Sequence, residues 1–327
     1  MRAVEAISIH KREQLDSTHS KSAQATDTEK STEALFPPLP PVREIAAGYD
    51  SPIIAAVGVG DRVSVWDLSS SKKVSEFESS WDIGGQRLAV SDDGKLCAVG
   101  AYQRYGVTVF DALKGALLWR RKDLRKVQNL KFSRHRKAVL VGIDEGAFHI
   151  VDAARGIDLE TLRGFAEVWE SPFGSYVFKE RRSGNNFVED FNDPLRNFSI
   201  RHTSFRVLDA CFTPEHIAVS ETGGETSLHA LHDGRVVWKY SERDHHMIRL
   251  AYCDRTREIV GINYSPRTGS AANIVAFDFH TGTVARKISR DDLTIASFAL
   301  GGSRVITWHG NVVDVTTGEV VSRLDFQ

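Results

Sequence analysis

Aspartate recurs along the chain at sites where a carboxylate could act as a metal ligand, an acid–base group or a turn cap. The residues that end a short apolar run are Asp67, Asp111, Asp152, Asp190, Asp278 and Asp314. In most copies a glycine follows four residues later and a second apolar run begins. Aspartate after a strand can accept hydrogen bonds from turn N–H groups, and glycine supplies a positive φ at the turn exit. The spacing therefore predicts structural turn residues without a catalytic role.

Two adjacent histidines are the other candidates for metal chemistry. His245 and His246 lie in the segment SERDHHMI. Adjacent side chains point in different directions, and no third ligand stands at a spacing typical of zinc sites. The sequence also contains no G-x-S-x-G, phosphate-binding loop or paired-cysteine motif. We therefore expect no metal, no cofactor and no catalytic residue, which favours a protein that is not an enzyme.

A basic run from Arg120 to Lys137 suggests nucleic-acid binding at first sight. Its charges fall into two groups, one before and one after the apolar strand pattern of residues 127–132. A strand of that length separates its ends by about 20 Å. Each group is then a modest local cluster, whereas phosphate binding needs several contacts together. We do not expect nucleic acid as a partner.

Aromatic and arginine residues occur in segments that the pattern predicts to be connections between strands. They are Trp81, Tyr102, Arg104, Tyr105 and Arg243, and the two histidines fall in the same kind of segment. Exposed aromatic rings with arginine are typical of protein contact surfaces. The longest predicted loops are Tyr102–Gly106, Glu180–Asn186 and Tyr264–Asn273. The sequence therefore predicts a partner-binding rim, although these rings could also pack back on the frame.

The elements that would position these residues come from one repeated unit. The stretch Val107–Trp119 reads VTVFDALKGALLW, and related stretches recur about every 41 residues through the chain. The fifth copy has Ala230 where aspartate is expected, so we expect Asp233 to satisfy its turn. This period, with several short strands per unit, predicts an all-β fold: a seven-bladed β-propeller of four-stranded antiparallel blades over residues 42–327. The first and last blades are complete, so the ring should close without borrowing a strand.

The repeat resembles that of the quinoprotein-like and YVTN-like propellers, which are relatives of WD-repeat proteins. Residues AFDFHTGTVAR around Asp278 and VFDALKGALLW around Asp111 follow the pattern A-x-D-x-x-x-G-x-x-x-W. The terminal tryptophan occurs only as Trp119 and Trp238. The resemblance implies the fold, but that scaffold hosts both enzymes and binding platforms. The first hypothesis is a non-enzymatic protein-binding scaffold; the alternative is a quinone- or metal-dependent enzyme or a small-molecule binder at the central channel.

Converging acidic or histidine groups at the channel mouth would favour the alternative. The formal net charge is −1, which gives no global attraction for nucleic acid or an anionic membrane. No apolar run is long enough to span a bilayer. The three cysteines lie in apolar runs, which predicts buried thiols in a reducing compartment. We expect a cytoplasmic monomer.

Residues 1–41 differ from the repeat in composition. They are rich in polar residues and end in the proline-rich segment LFPPLPPVR. A segment of this kind cannot bury enough apolar surface to offset chain entropy, which predicts a disordered arm. The proline-rich end is either a stiff linker or a polyproline ligand for another protein.

Overall fold

The computed structural model describes residues 42–58, 62–79, 86–102, 105–144, 146–181, 183–201, 206–242, 244–265 and 267–326. Among these, the side chains of residues 86, 185, 201 and 270–272 are not described. The predicted N-terminal arm and its proline-rich segment, residues 1–41, lie outside the described residues. Within the described part, the structure is a seven-bladed β-propeller with four antiparallel strands in each blade, as the repeat predicts.

Each blade is formed by four consecutive strands. Blade 1 contains β1 (Val42–Ala47), β2 (Ile53–Gly58), β3 (Arg62–Asp67) and β4 (Lys72–Glu78). Blade 2 contains β5 (Gln86–Val90), β6 (Leu96–Ala101), β7 (Val107–Asp111) and β8 (Leu117–Arg121). Blade 3 contains β9 (Val127–Phe132), β10 (Ala138–Ile143), β11 (Ala147–Asp152) and β12 (Asp158–Arg163). Blade 4 contains β13 (Phe165–Glu170), β14 (Tyr176–Arg181), β15 (Asn185–Asp190) and β16 (Phe198–Arg201).

The remaining blades repeat this order. Blade 5 contains β17 (Val207–Phe212), β18 (His216–Glu221), β19 (Glu225–Ala230) and β20 (Val236–Ser241). Blade 6 contains β21 (His246–Cys253), β22 (Glu258–Ser265), β23 (Ser270–Phe277) and β24 (Val284–Ser289). Blade 7 contains β25 (Ala296–Ala299), β26 (Arg304–Thr307), β27 (Asn311–Asp314) and β28 (Val320–Arg323). Every pairing within a blade is antiparallel.

The core of the propeller lies between neighbouring blades. The second and third strands of a blade are buried on both faces, so they read as continuous apolar runs. One buried cluster joins Val65 of blade 1 to Val99 of blade 2, and another joins Val109 of blade 2 to Val141 of blade 3. The repeat is therefore stabilised by apolar contact between each blade and the next.

The ring closes through apolar packing between blades 7 and 1. Innermost strands β25 and β1 lie side by side, and one buried cluster contains Ile54 and Trp66 of blade 1 with Ile306 and Leu324 of blade 7. Phe326 meets the ring of Trp66 edge-on, with 6.1 Å between ring centroids. Both terminal blades are made of consecutive strands, which confirms the prediction that no strand is borrowed.

The repeated aspartates cap the turns between third and fourth strands. Asp111 Oδ1 accepts hydrogen bonds from the N–H groups of Leu113 (3.1 Å) and Lys114 (3.0 Å). The N–H of Gly115, at φ 67°, donates to the carbonyl of Asp111 over 2.8 Å. The carboxylates of Asp67, Asp152, Asp190, Asp278 and Asp314 likewise accept from N–H groups of their own turns. In blade 5, Asp233 accepts from the N–H of Arg235 over 3.0 Å.

The turn glycine also leaves room for a tryptophan ring of the preceding blade, a role that the sequence pattern did not reveal. Trp238 at the end of the repeat donates its indole N–H to the carbonyl of Phe279 in the next blade, over 2.9 Å. Trp119 does the same to Ala153 over 2.7 Å. The indole lies against the next blade's turn, where a Cβ on Gly282 would stand 2.5 Å from a Trp238 ring atom. Glycine is required there because it both adopts a positive φ and leaves room for the ring.

Candidate functional site

The connections of the propeller lie on two rims, because four antiparallel strands place alternate connections at opposite ends. The crossover rim carries the loops between second and third strands and the links from one blade to the next. The turn rim carries the loops between first and second strands and the aspartate turns between third and fourth strands. The sequence predicts the partner site on the crossover rim.

Tyr102 and Tyr105 lie in the predicted crossover-rim loop between β6 and β7, and both are half-buried. The Tyr102 hydroxyl donates a hydrogen bond to Asp144 of blade 3, 3.4 Å away. The Tyr102 carbonyl accepts from the N–H of Lys126 over 2.6 Å. Tyr102 thus joins blades 2 and 3 while part of its ring stays accessible. Trp81, Arg104 and Arg243, which were predicted for the same rim, lie outside the described residues.

The two adjacent histidines occupy different elements. His245 lies in the link between blades 5 and 6, with its Nδ1 3.6 Å from Glu242 Oε1. His246 is the first residue of β21 and pairs with Tyr264, so its expected place in the connection is corrected. Burial, followed by the neighbouring His245, lowers the pKa of His246. Among the described residues no group of three or more His, Cys, Asp or Glu side chains could hold a metal ion.

Two of the predicted long loops are mostly strand. β14 continues to Arg181 and β15 begins at Asn185, so the expected loop Glu180–Asn186 is a tight turn. β22 continues to Ser265 and β23 begins at Ser270, which shortens the expected loop Tyr264–Asn273 in the same way. The ends of these strands mix polar and apolar residues, so the sequence pattern did not show that the strands pair there. The side chain of Glu180 is buried, and its carboxylate accepts the N–H of Val207 over 2.9 Å.

Charged side chains occur on the innermost strands, which surround the axis. Glu44 lies on β1, Arg87 on β5 and Arg249 on β21. Burial raises the pKa of the Glu44 carboxyl, and the nearby Arg87 and Arg249 act in the opposite direction. Lys131 of β9 pairs with Glu167 of β13 at 2.6 Å. The inner wall of the propeller is therefore polar and carries charges of both signs.

Several of these inner groups bind neighbouring blades to one another. The Asp209 carboxylate accepts from the indole N–H of Trp169 in blade 4 (3.0 Å) and from the N–H of Leu250 in blade 6 (2.8 Å). Arg87 donates from Nε to the carbonyl of Gln128 in blade 3, over 2.8 Å. These inner-strand polar groups therefore have a structural role between blades.

On the turn rim, side chains also make contact between blades that have one blade between them. The guanidinium of Arg134 in blade 3 lies 4.2 Å from the ring centroid of Tyr49 in blade 1. Phe173 of blade 4 and Tyr252 of blade 6 meet edge-on at 5.6 Å. Asp92 of blade 2 pairs with Arg134 at 3.3 Å and accepts the N–H of Tyr49 over 3.4 Å, so the first contact passes over the loop of the blade in between.

The most exposed large apolar side chains lie on the half of the propeller that is closer to the turn rim. In the part of the chain that the structure describes, they belong to the turn-rim loops or to the beginnings of fourth strands: Val74, Leu113, Leu117, Leu118, Ile157, Leu159, Phe173, Phe191, Leu195, Val236, Val237, Val284, Val320 and Val321. Leu195 is 95% exposed, the highest value among them. The sequence prediction of partner-contact residues missed this set. The available signal was Pro194, which stands where most other copies have glycine.

The cysteines fit the prediction of buried thiols in part. Cys97 and Cys253 are buried and Cys211 is half-buried, and all are free. Burial raises the pKa of the Cys97 thiol and of the Cys211 thiol, so neither is an activated nucleophile. Within the described residues, no helix has the length and apolar character required to cross a membrane.

Comparison with solved structures agrees with this architecture. The β-propeller domain of Cps50 (Swd1) from Myceliophteria thermophila matches with TM-score 0.64 and 10% identity, over 85% of this chain and 94% of that one. BamB from Moraxella catarrhalis matches with TM-score 0.55 and 12% identity, over 84% and 80%. The dihydro-heme d1 dehydrogenase NirN, solved in complex with DHE, matches with TM-score 0.59 and 17% identity, over 86% and 66%.

These comparisons define the class of protein. No family model and no curated protein matches the chain. The solved structures confirm a seven-bladed β-propeller of the kind that the quinoprotein-like and WD-related repeat predicts. At these identities the likeness shows the fold, and the neighbours include both a dehydrogenase and proteins of other kinds.

Proposed function

We propose that the protein is a non-enzymatic, monomeric and cytoplasmic platform that binds other proteins through its loop rims. The observation that carries this proposal is the contrast between the interior and the surface. Inner-strand groups such as Asp209 and the Lys131–Glu167 pair bind one blade to the next. Aromatic and apolar side chains, by contrast, are accessible on loops held by a fixed frame, which is where such scaffolds contact partners.

The crossover rim supplies the first proposed contact surface, formed by Tyr102, Tyr105, His245 and His246. Half-buried tyrosines combine a large apolar area with a polar tip, and they lose little conformational entropy on binding. The Tyr102–Asp144 hydrogen bond keeps one ring in place before a partner arrives. This favours a preformed surface over one that orders on binding.

The test is affinity capture with the wild-type protein and with a variant carrying Tyr102→Ala and Tyr105→Ala. The proposal expects specific proteins to be recovered by the wild type and lost with the double variant. Tyr102→Phe serves as the matched control, because it removes the hydroxyl bonded to Asp144 but keeps the ring. Recovery of the same proteins in equal amounts by wild type and double variant would remove the crossover rim from the proposal.

A further inference from the structure

The interface between blades 5 and 6 contains a group of buried polar side chains near its crossover-rim end. Ser220 and Thr226 of blade 5 are 0% exposed, as is Asn263 of blade 6, and Asn273 of blade 6 is 6% exposed. Further along this interface, Leu228 of blade 5 packs in one buried apolar cluster with side chains of β22 and β23. Polar groups in such a place need hydrogen-bond partners, because burying them unpaired destabilises the fold.

The two blade-5 hydroxyls stand where blade 1 has valines. Val57 and Val63 lie opposite each other on β2 and β3, as Ser220 and Thr226 do on β18 and β19. Val63 and Thr226 each stand four residues before the last residue of their strand, so they are equivalent in the repeat. Both valines are 0% exposed and belong to the apolar cluster between blades 1 and 2. The polar group between blades 5 and 6 is therefore a departure from an apolar pattern.

Two of these side chains keep a buried polar atom unpaired. Among the described residues, Thr226 Oγ1 and Asn263 Nδ2 have no hydrogen-bond partner. Asn263 Oδ1 accepts from the main-chain N–H of Asn273 over 3.0 Å and from its side-chain amide over 3.1 Å. Because a main-chain N–H only donates, the Asn263 amide has one orientation, and its unpaired atom is the nitrogen. Asn273 Oδ1 in turn accepts from the Ser289 hydroxyl over 2.7 Å.

The two unpaired atoms face the same interface from opposite sides. Along their strands, Thr226 and Asn263 each stand an even number of residues from members of the buried cluster that joins blades 5 and 6, so both point towards it. At this level the Ser220 hydroxyl donates to the carbonyl of Met247 in blade 6, over 2.7 Å. Ser220 is the cross-strand neighbour of Thr226, and Met247 is that of Asn263. This hydrogen bond therefore brings the two unpaired groups to one part of the interface.

We propose that a water molecule binds between blades 5 and 6 and bridges Thr226 Oγ1 and Asn263 Nδ2. The Asn263 nitrogen requires an acceptor, which excludes a metal cation, whereas the threonine hydroxyl either donates or accepts. The Ser220 oxygen offers a third bond, and a buried water makes about three hydrogen bonds. The next residues on the same faces, Leu228 and Val275, are apolar, so they offer no polar group to a larger ligand. The inference does not depend on the proposed function.

The first test is a crystal structure of the full chain at a resolution that shows ordered water. We expect one water peak within about 3.2 Å of both Thr226 Oγ1 and Asn263 Nδ2. A well-defined map without that peak would overturn the inference. So would a structure in which a protein group pairs with either atom in place of the water.

The second test is the thermal midpoint of Thr226→Val, which replaces the hydroxyl by a methyl group of similar size. With the water in place, the variant removes one of its bonds, and the midpoint should fall by about 2–4 °C. A hydroxyl without a partner would give the opposite sign, because its removal relieves the cost of burying it. An unchanged or raised midpoint in Thr226→Val would therefore contradict the proposal.

Val63→Thr is the matched control, because it makes the reverse exchange at the equivalent position of blade 1. The surrounding cluster there is apolar, so the new hydroxyl should lower the midpoint by a similar amount. The proposal thus expects both exchanges to destabilise the protein, whereas opposite signs would reject the bound water. Crystals of Thr226→Val should also lack the water peak, and a peak that stays in place there would contradict its assignment to this hydroxyl.

Discussion

Replacing Gly282 by alanine tests the contact that links successive blades. Gly282 has φ 69°, and an added Cβ would stand 2.5 Å from a Trp238 ring atom and 2.7 Å from two more. Gly164 provides the matched control, because its φ of 81° is also positive but an added Cβ would meet nothing within 4 Å. Both variants therefore strain the backbone, and only one of them displaces the indole.

The expected losses of stability follow from the backbone strain and from the displacement of the indole. A side chain in the left-handed region costs about 1–2 kcal/mol, which is the whole loss expected for Gly164→Ala. Forcing extra volume into a packed contact adds about 1–3 kcal/mol. Gly282→Ala should therefore lower the free energy of unfolding by about 2–5 kcal/mol. The assay is equilibrium denaturation in urea at fixed pH.

A double-mutant cycle isolates the contact between the glycine and the indole. Trp238→Ala removes the ring that an alanine at position 282 would strike, so in that background Gly282→Ala should cost only the backbone term of about 1–2 kcal/mol. The coupling energy between the two positions should then be about 1–3 kcal/mol. Equal losses for Gly164→Ala and Gly282→Ala, with a coupling energy near zero, would refute the idea that the indole is seated on the next blade's turn.

Three further substitutions test what stabilises the propeller. Burial raises the pKa of Glu180 to about 7, and the Val207 N–H opposes this. The folded pKa exceeds the unfolded one, so wild-type stability should fall by about 3 kcal/mol as pH rises from about 4.5 to about 7, and Glu180→Gln should remove this fall in urea denaturation. Asp209→Ala leaves the buried Trp169 N–H unpaired and should lower stability by about 2–3 kcal/mol, measured in the same way. Phe326→Ala removes an edge contact at the ring closure and should lower the thermal midpoint by a few degrees, which calorimetry measures. A flat pH dependence in the wild type, or wild-type stability in either of the other two variants, would contradict the corresponding reasoning.

Most of the fold follows from the repeat, because turn chemistry is local. Asp111 and Gly115 determine a hairpin through atoms a few residues apart, so their spacing alone places β7 and β8. The partner of Trp119 is Ala153 in another blade, and no local pattern predicts a contact over that separation in sequence. The same limit hid the tight pairing at Glu180, which the sequence places in a loop although its carboxylate accepts the N–H of Val207 in blade 5.

The candidate site could be predicted less well than the fold. Tyr102 and Tyr105 lie in the loop where the sequence places them, but their half-burial and the hydrogen bond from Tyr102 to blade 3 are properties of the folded chain. The exposed apolar side chains of the turn rim, Leu195 among them, were missed because exposure of an apolar residue is a property of the folded surface. Pro194 was visible as a break in the repeat, yet the break alone does not say that Leu195 points outward.

The most direct test of the platform is site-specific photo-crosslinking in cells that produce the protein. A photoreactive amino acid would replace Leu195 or Tyr105 in turn, and Leu118 would serve as the control position on a fourth strand. We expect discrete adducts with other proteins from the rim positions and none from position 118. An absence of protein adducts at both rim positions would contradict the central claim that this propeller acts by holding partner proteins at its loops.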